Sequence, residues 1–139
     1  MSVLEFRNVS KEYRVRGGSR FRAVDEVSFT LEPGRTIALV GQSGSGKSTI
    51  AKMLAQLERP TSGEILLDGE PVARRGRGLT RYRGEVQMVF QDPFASLNPF
   101  HTIGHHLERP LLLHERAGRA GVDAAVAALL ERVQLTPGE

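Results

Sequence analysis

Nine consecutive residues, Gly41-Gln42-Ser43-Gly44-Ser45-Gly46-Lys47-Ser48-Thr49, carry the spacing G-x-x-x-x-G-K-[ST] of a phosphate-binding P-loop. A triphosphate is a dense cluster of anionic oxygens. It is held best by backbone N–H groups converging from a tight loop that opens a helix N-terminus. Gly41, Gly44 and Gly46 lack a Cβ, so the backbone can bend sharply and approach the phosphates. Lys47 brings a point charge toward the β and γ oxygens, and the Ser48 hydroxyl can join the shell of a Mg²⁺ ion.

Such a loop works only between a strand and a helix. Thr36-Ile37-Ala38-Leu39-Val40 is a continuous apolar, β-branched run, which predicts a buried parallel strand. Ser48 to Leu57 predicts a helix, with Ile50, Met53, Leu54 and Leu57 at helical spacing. Around this unit, Val3 to Val9 reads as a strand that runs on through Tyr13, and Gly17-Gly18-Ser19 as a turn. Val27 to Leu31 alternates cleanly, as a half-buried strand does, and Glu64 to Leu67 is a strand closed by the hairpin dipeptide Asp68-Gly69. A short helix is expected over Leu79 to Arg83, and a strand over Val86 to Phe90 that ends at Gln91. Thr102 to His114 should be helical with an interruption at Pro110. Asp123 to Val133 should form an amphipathic helix with Val122, Val126, Leu129, Leu130 and Val133 on one face. Strands dominate early and helices late, so the fold class is α/β.

The 139 residues suffice for one modest domain, and 40% hydrophobic with 25% charged residues is a globular composition. No apolar run approaches the length of a transmembrane helix, and the first residues lack the basic and apolar regions of a secretory signal. With no cysteine there are no disulfides or thiolate metal sites. The net charge is +3, and sixteen of the nineteen basic residues are arginine. Five of these lie between Arg74 and Arg83, without the aromatic platform or reading motif of a nucleic-acid binder, so a solvated face is expected and no nucleic-acid partner. His101, His105 and His106 lack the spacing of a defined metal motif, so a helix surface is the expectation there too.

Several markers follow one another in a fixed order, and together they resemble the ATPase subunit of an ABC transporter. Tyr13, in Lys11-Glu12-Tyr13, sits where that family places the aromatic ring that stacks on adenine. Ala23-Val24-Asp25-Glu26-Val27-Ser28-Phe29 resembles the strand leading to the P-loop, and Pro60-Thr61-Ser62-Gly63-Glu64-Ile65 with Asp68-Gly69 the stretch after its helix. Gln91 stands at the place of the Q-loop glutamine. The segment Gln87-Met88-Val89-Phe90-Gln91-Asp92-Pro93-Phe94-Ala95-Ser96-Leu97-Asn98-Pro99 is similar to the dipeptide, oligopeptide and nickel importer branch.

The resemblance implies a P-loop NTPase fold of ABC type, with a β-subdomain and P-loop core over residues 1–93 and the start of a helical subdomain over 94–139. It implies ATP and Mg²⁺ as cofactors. ATP would be bound by Tyr13 and by Gly41, Gln42, Ser43, Gly44, Ser45, Gly46, Lys47, Ser48 and Thr49. Mg²⁺ would be held by Ser48 and Gln91, with Lys47 and Gln91 as catalytic residues. It also implies membrane subunits contacted through the loop from Asp92 to Phe100, a second ATPase subunit, identical or different, and a place on the cytoplasmic, inner face of the cell membrane. No Leu-Ser-Gly-Gly-Gln segment and no apolar strand ending in Asp-Glu is found, and in the family both lie further downstream. The expectation is therefore the N-terminal part of such an ATPase. Two other readings stay open: a non-catalytic fragment that binds nucleotide or a partner, and a small-molecule P-loop kinase. The kinase is disfavoured by the positions of Tyr13 and Gln91.

Overall fold

The computed structural model describes residues 2–92, 97–114 and 116–135. It forms two compact units, Met1–Met88 and Val89–Glu139. The first holds strands β1 (Leu4–Arg14), β2 (Arg20–Leu31), β3 (Ser62–Leu67) and β4 (Glu70–Pro71), with helices α1 (Lys47–Leu54) and α2 (Gly76–Glu85). The second holds α3 (Ile103–Leu113) and α4 (Val122–Arg132). The four strands form one antiparallel sheet in the order β2-β1-β3-β4. The elements are mixed α/β, as expected.

Local chemistry explains the sheet. Gly17 and Gly18 supply the positive φ angles, 100° and 85°, that turn β1 into β2. Asp68 (φ 53°) and Gly69 (φ 81°) make the two-residue turn from β3 to β4, both left-handed as an Asp-Gly hairpin requires. The Asp68 carboxylate accepts a hydrogen bond from the Val3 N–H at 2.8 Å. That bond, helped by Ser2, holds its pKa below the usual carboxylate value. The β1–β2 ladder is irregular at Asn8, whose φ is 47°. Ser28 stabilises the irregularity: its hydroxyl accepts from Asn8 N–H at 2.8 Å and donates to Asn8 Oδ1 at 3.1 Å. Gly63 on β3 lies so close that a Cβ there would run into the Asn8 carbonyl.

One core joins the sheet to α1 and α2: Leu4, Phe6, Val9 and Val24 from β1 and β2, Ile65 from β3, Ile50 and Met53 from α1, and Tyr82 from α2. Phe6 stacks on Phe29 with ring centroids 4.7 Å apart. Tyr82 donates its hydroxyl to the Leu54 carbonyl at 2.6 Å, satisfying a terminal acceptor of α1. Burial pushes the Tyr82 pKa up to about 12.

Four expectations are corrected. Residues 36–40 enter no ladder among the described residues, and Val40 is 92% exposed. Residues 86–90 likewise form no strand, and Val89 is 95% exposed. A strand exists only where a neighbour accepts and donates its hydrogen bonds, and the sheet offers these segments none. Helix α1 stops at Leu54 because Gln56 turns left-handed (φ 54°), which carries Leu57 off the apolar face and leaves it exposed. Pro110 does not interrupt α3. A proline in a helix removes one hydrogen bond, yet the turn beyond closes through His114 N–H donating to the Pro110 carbonyl at 3.0 Å.

In the second unit Thr102 caps α3, its hydroxyl accepting from His105 N–H at 3.2 Å. α3 and α4 pack on each other. Val122, the first residue of α4, is buried, whereas Val133 lies just past the last turn and is exposed.

Candidate functional site

The glycine loop is shaped by its neighbours. Gly44 (φ 80°) and Gly46 (φ 89°) hold left-handed conformations that disfavour any side chain. Gly46 is buried against β2, where a Cβ would strike the Ala23 carbonyl and crowd the Val24 side chain. The Ser45 N–H donates to the Gln42 carbonyl at 3.2 Å to close the turn, and Ile50 N–H donates to Gly46 O at 2.9 Å to start α1.

Among the described residues, no side chain caps the N-terminus of α1. Its first N–H groups therefore lack an intrahelical or side-chain acceptor, and the helix dipole favours an anion there.

The Lys47 ammonium folds back over this loop. It donates to the carbonyls of Gly41 at 2.7 Å and Gln42 at 2.6 Å, and to Ser45 Oγ at 3.3 Å. An ammonium has three N–H donors, so all are in use, and each acceptor is neutral. A phosphate oxygen would replace a neutral acceptor with an anionic one, adding the attraction of opposite charges to a bond the ammonium already makes. Ser48 is exposed on the first turn of α1, and Thr49 beside it is half-buried.

Tyr13 lies near the end of β1, half-buried, directly opposite Phe21 of β2. The Lys11 ammonium stands 5.0 Å from the Tyr13 ring centroid. It is fixed there by the Arg59 carbonyl at 2.7 Å and the Glu58 carboxylate at 3.0 Å. On the opposite face Glu12 pairs with Arg22 at 3.0 Å and Arg20 at 3.3 Å, and the hydrogen bonds of the two guanidiniums, Arg22 first, hold its pKa low. The same unit thus contains the loop and the strand bearing Tyr13, joined through the contact of β2 with Gly46.

Gln91 is exposed in the second unit. Of the loop from Asp92 to Phe100, residues 93–96 lie outside the described residues. In the remainder, Asn98 N–H donates to His106 Nε2 at 2.8 Å and Asn98 Oδ1 accepts from Phe100 N–H at 3.0 Å. His101 and His105 stack with centroids 4.2 Å apart. Sequence reasoning missed Lys11 and the Ala23 carbonyl as parts of the site's frame. Lys11 was detectable, since residues two apart on a strand share a face. The close approach of Ala23 depends on long-range packing.

Comparison with known proteins adds to this geometry. The family described as "ABC transporter" matches residues 24–138. The chain is 41% identical over 142 residues to the di/tripeptide transport ATP-binding protein DppF of Pseudomonas aeruginosa (strain UCBPP-PA14), covering 98% of this chain and 44% of that protein. It is 42% identical over 142 residues to the glutathione import ATP-binding protein GsiA of Escherichia coli (strain K12), covering 97% of this chain and 23% of that protein. Among solved structures, the dimeric post-hydrolysis state of the ATP-binding cassette MJ0796 bound to ADP and Pi superposes with a TM-score of 0.75 at 26% identity, over 95% of this chain and 57% of that one. The chain therefore spans less than half the length of these curated relatives.

Proposed function

This chain belongs to the ABC transporter family, and on that premise we propose that it binds ATP through residues 41–49 as part of the ATPase subunit of a peptide importer. The observation that carries the reading is the Lys47 ammonium on the carbonyls of Gly41 and Gln42, beside an α1 N-terminus with no side-chain cap. Gly41, Gln42, Ser43, Gly44, Ser45 and Gly46 offer backbone donors to the phosphates. Lys47 exchanges its loop acceptors for the β and γ oxygens, and Tyr13 stacks on the base.

Hard oxygen donors suit Mg²⁺, and the exposed hydroxyl of Ser48 and amide oxygen of Gln91 are of that kind. The ion, when bound, neutralises charge developing on the phosphates. Lys47 then orients the terminal phosphate, and Gln91 orients the attacking water.

The remaining roles belong to the longer protein. We assign residues 1–93 to the β-subdomain and P-loop core, and 94–139 to the start of the helical subdomain. The loop from Asp92 to Phe100 faces the membrane subunits, and a second ATPase subunit completes the site, on the cytoplasmic face of the membrane. The transported solute is a peptide or a related compound, with nickel the alternative within the same branch. DppF and GsiA are named for di/tripeptide transport and glutathione import, which favours the peptide.

Binding of ATP and of its non-hydrolysable analogue, measured by calorimetry with Lys47→Ala as the control, tests the reading. Lys47-dependent affinity without phosphate release would assign the chain the role of a non-catalytic nucleotide-binding fragment. A phosphorylated small-molecule acceptor would favour a kinase instead.

A further inference from the structure

We infer that Phe21 is a second aromatic element of the base-binding surface, paired across the ladder with Tyr13. This rests on the reading of residues 41–49 as a nucleotide site. The ladder gives the geometry. Residues directly opposite in an antiparallel pair point to the same face, and Tyr13 is opposite Phe21. The next rungs are Glu12 opposite Arg22 and Lys11 opposite Val24, so Ala23 is the extra residue of a bulge. The bulge frees the Ala23 carbonyl to lie against Gly46, while Val24 turns its side chain toward the same glycine.

The face that carries Val24 and Lys11 therefore also carries Tyr13 and Phe21. It runs from the phosphate loop outward along the hairpin. Phe21 is two residues beyond Ala23, about 7 Å along a strand, a step that leaves room for a ribose between loop and ring.

Chemistry separates the two faces. Arg20, Arg22 and Glu12 pair with one another on the far side. On the near side Phe21 keeps 54% of its surface exposed, an unusual position for a phenylalanine in a strand. One face of the Tyr13 ring is taken by Lys11, whose side chain is only 13% exposed and held by Glu58 and Arg59. An incoming base has the other face of Tyr13 and the flank offered by Phe21. Neither ring reads base edges, so the surface takes purines without choosing between them.

The test titrates the full 139-residue chain with ATP, GTP and tripolyphosphate, using Phe21→Ala, Phe21→Trp and Lys47→Ala. Tripolyphosphate keeps the charge and lacks the base. Phe21→Ala should weaken ATP and GTP alike, roughly 5- to 20-fold, and leave tripolyphosphate unchanged, whereas Phe21→Trp should retain nucleotide affinity. Unchanged ATP affinity in Phe21→Ala, with Lys47→Ala still weakening ATP, would overturn the proposal and leave the phosphate site intact. An equal loss for ATP and tripolyphosphate would also overturn it, because Phe21 would then act through the fold. Lys47→Ala without effect on either ligand would remove the site reading and this inference with it.

Discussion

The β1–β2 hairpin and the segment of residues 36–40 are both rich in β-branched and apolar residues, yet only the hairpin is sheet. The hairpin carries its own partner: Gly17 and Gly18 fold Arg20–Leu31 back on Leu4–Arg14, and Leu4, Phe6, Val9, Val24, Val27, Phe29 and Leu31 form or pack against the core. Residues 36–40 are more uniformly apolar, but Ile37, Leu39 and Val40 stay exposed and enter no ladder among the described residues. Composition sets which residues profit from burial, and hydrogen-bonded neighbours decide whether burial happens. The P-loop hangs between these two regimes. Its downstream end is built against β2 at Gly46, and its upstream end continues from the unladdered segment.

The strongest challenge to this contrast is Phe6→Ala. Phe6 is 2% exposed and stacked on Phe29, so its truncation should cost about 3–5 kcal/mol, read as a lowered denaturation midpoint. A loss under about 1 kcal/mol would mean that the hairpin is no better packed than residues 36–40. Gly46→Ala comes next. It forces a side chain onto a left-handed residue and into the Ala23 carbonyl. It should cost about 1–3 kcal/mol and also lower nucleotide affinity, measured by thermal melting and titration of the same preparation.

A smaller effect is expected from acid. The folded pKa values of Asp68 and Glu12 lie below their unfolded values. Their stabilisation is therefore complete above the ordinary carboxylate pKa and is lost as pH falls through the depressed folded value. Asp68→Asn should flatten that part of the pH–stability curve, and an unchanged curve would remove the Val3 contact as its cause. Smallest of all should be Val40→Thr, within about 0.5 kcal/mol. A loss above about 2 kcal/mol would show the segment buried and end the comparison.

The same contrast explains what was legible in the sequence. Strands β1 and β3 and the Asp68-Gly69 turn were readable because each strand has a hairpin partner next in sequence, β2 and β4. The alternation of Val27, Phe29 and Leu31 placed β2 correctly, although it begins earlier, at Arg20. Residues 36–40 and 86–90 read as strands because period and composition report burial potential and carry no information about a neighbour. The C-terminal end of α1 turned on a single backbone angle at Gln56 that composition does not encode, and α3 runs through Pro110 although proline is a breaker by type. Of the candidate site, the loop spacing was explicit in the sequence. The Tyr13–Phe21 rung continues in register from the Gly17-Gly18 turn, whereas the bulge at Ala23 is a ladder irregularity with no local sequence signal.

The central claim is that the Lys47 ammonium, now held by the Gly41 and Gln42 carbonyls, transfers to nucleotide phosphate. Calorimetric titration of ATP into the chain and into its Lys47→Ala variant tests this directly. Loss of a charge-assisted bond of about 1.5–3 kcal/mol should raise the dissociation constant roughly 10- to 150-fold. Equal affinities in the two proteins would contradict the account.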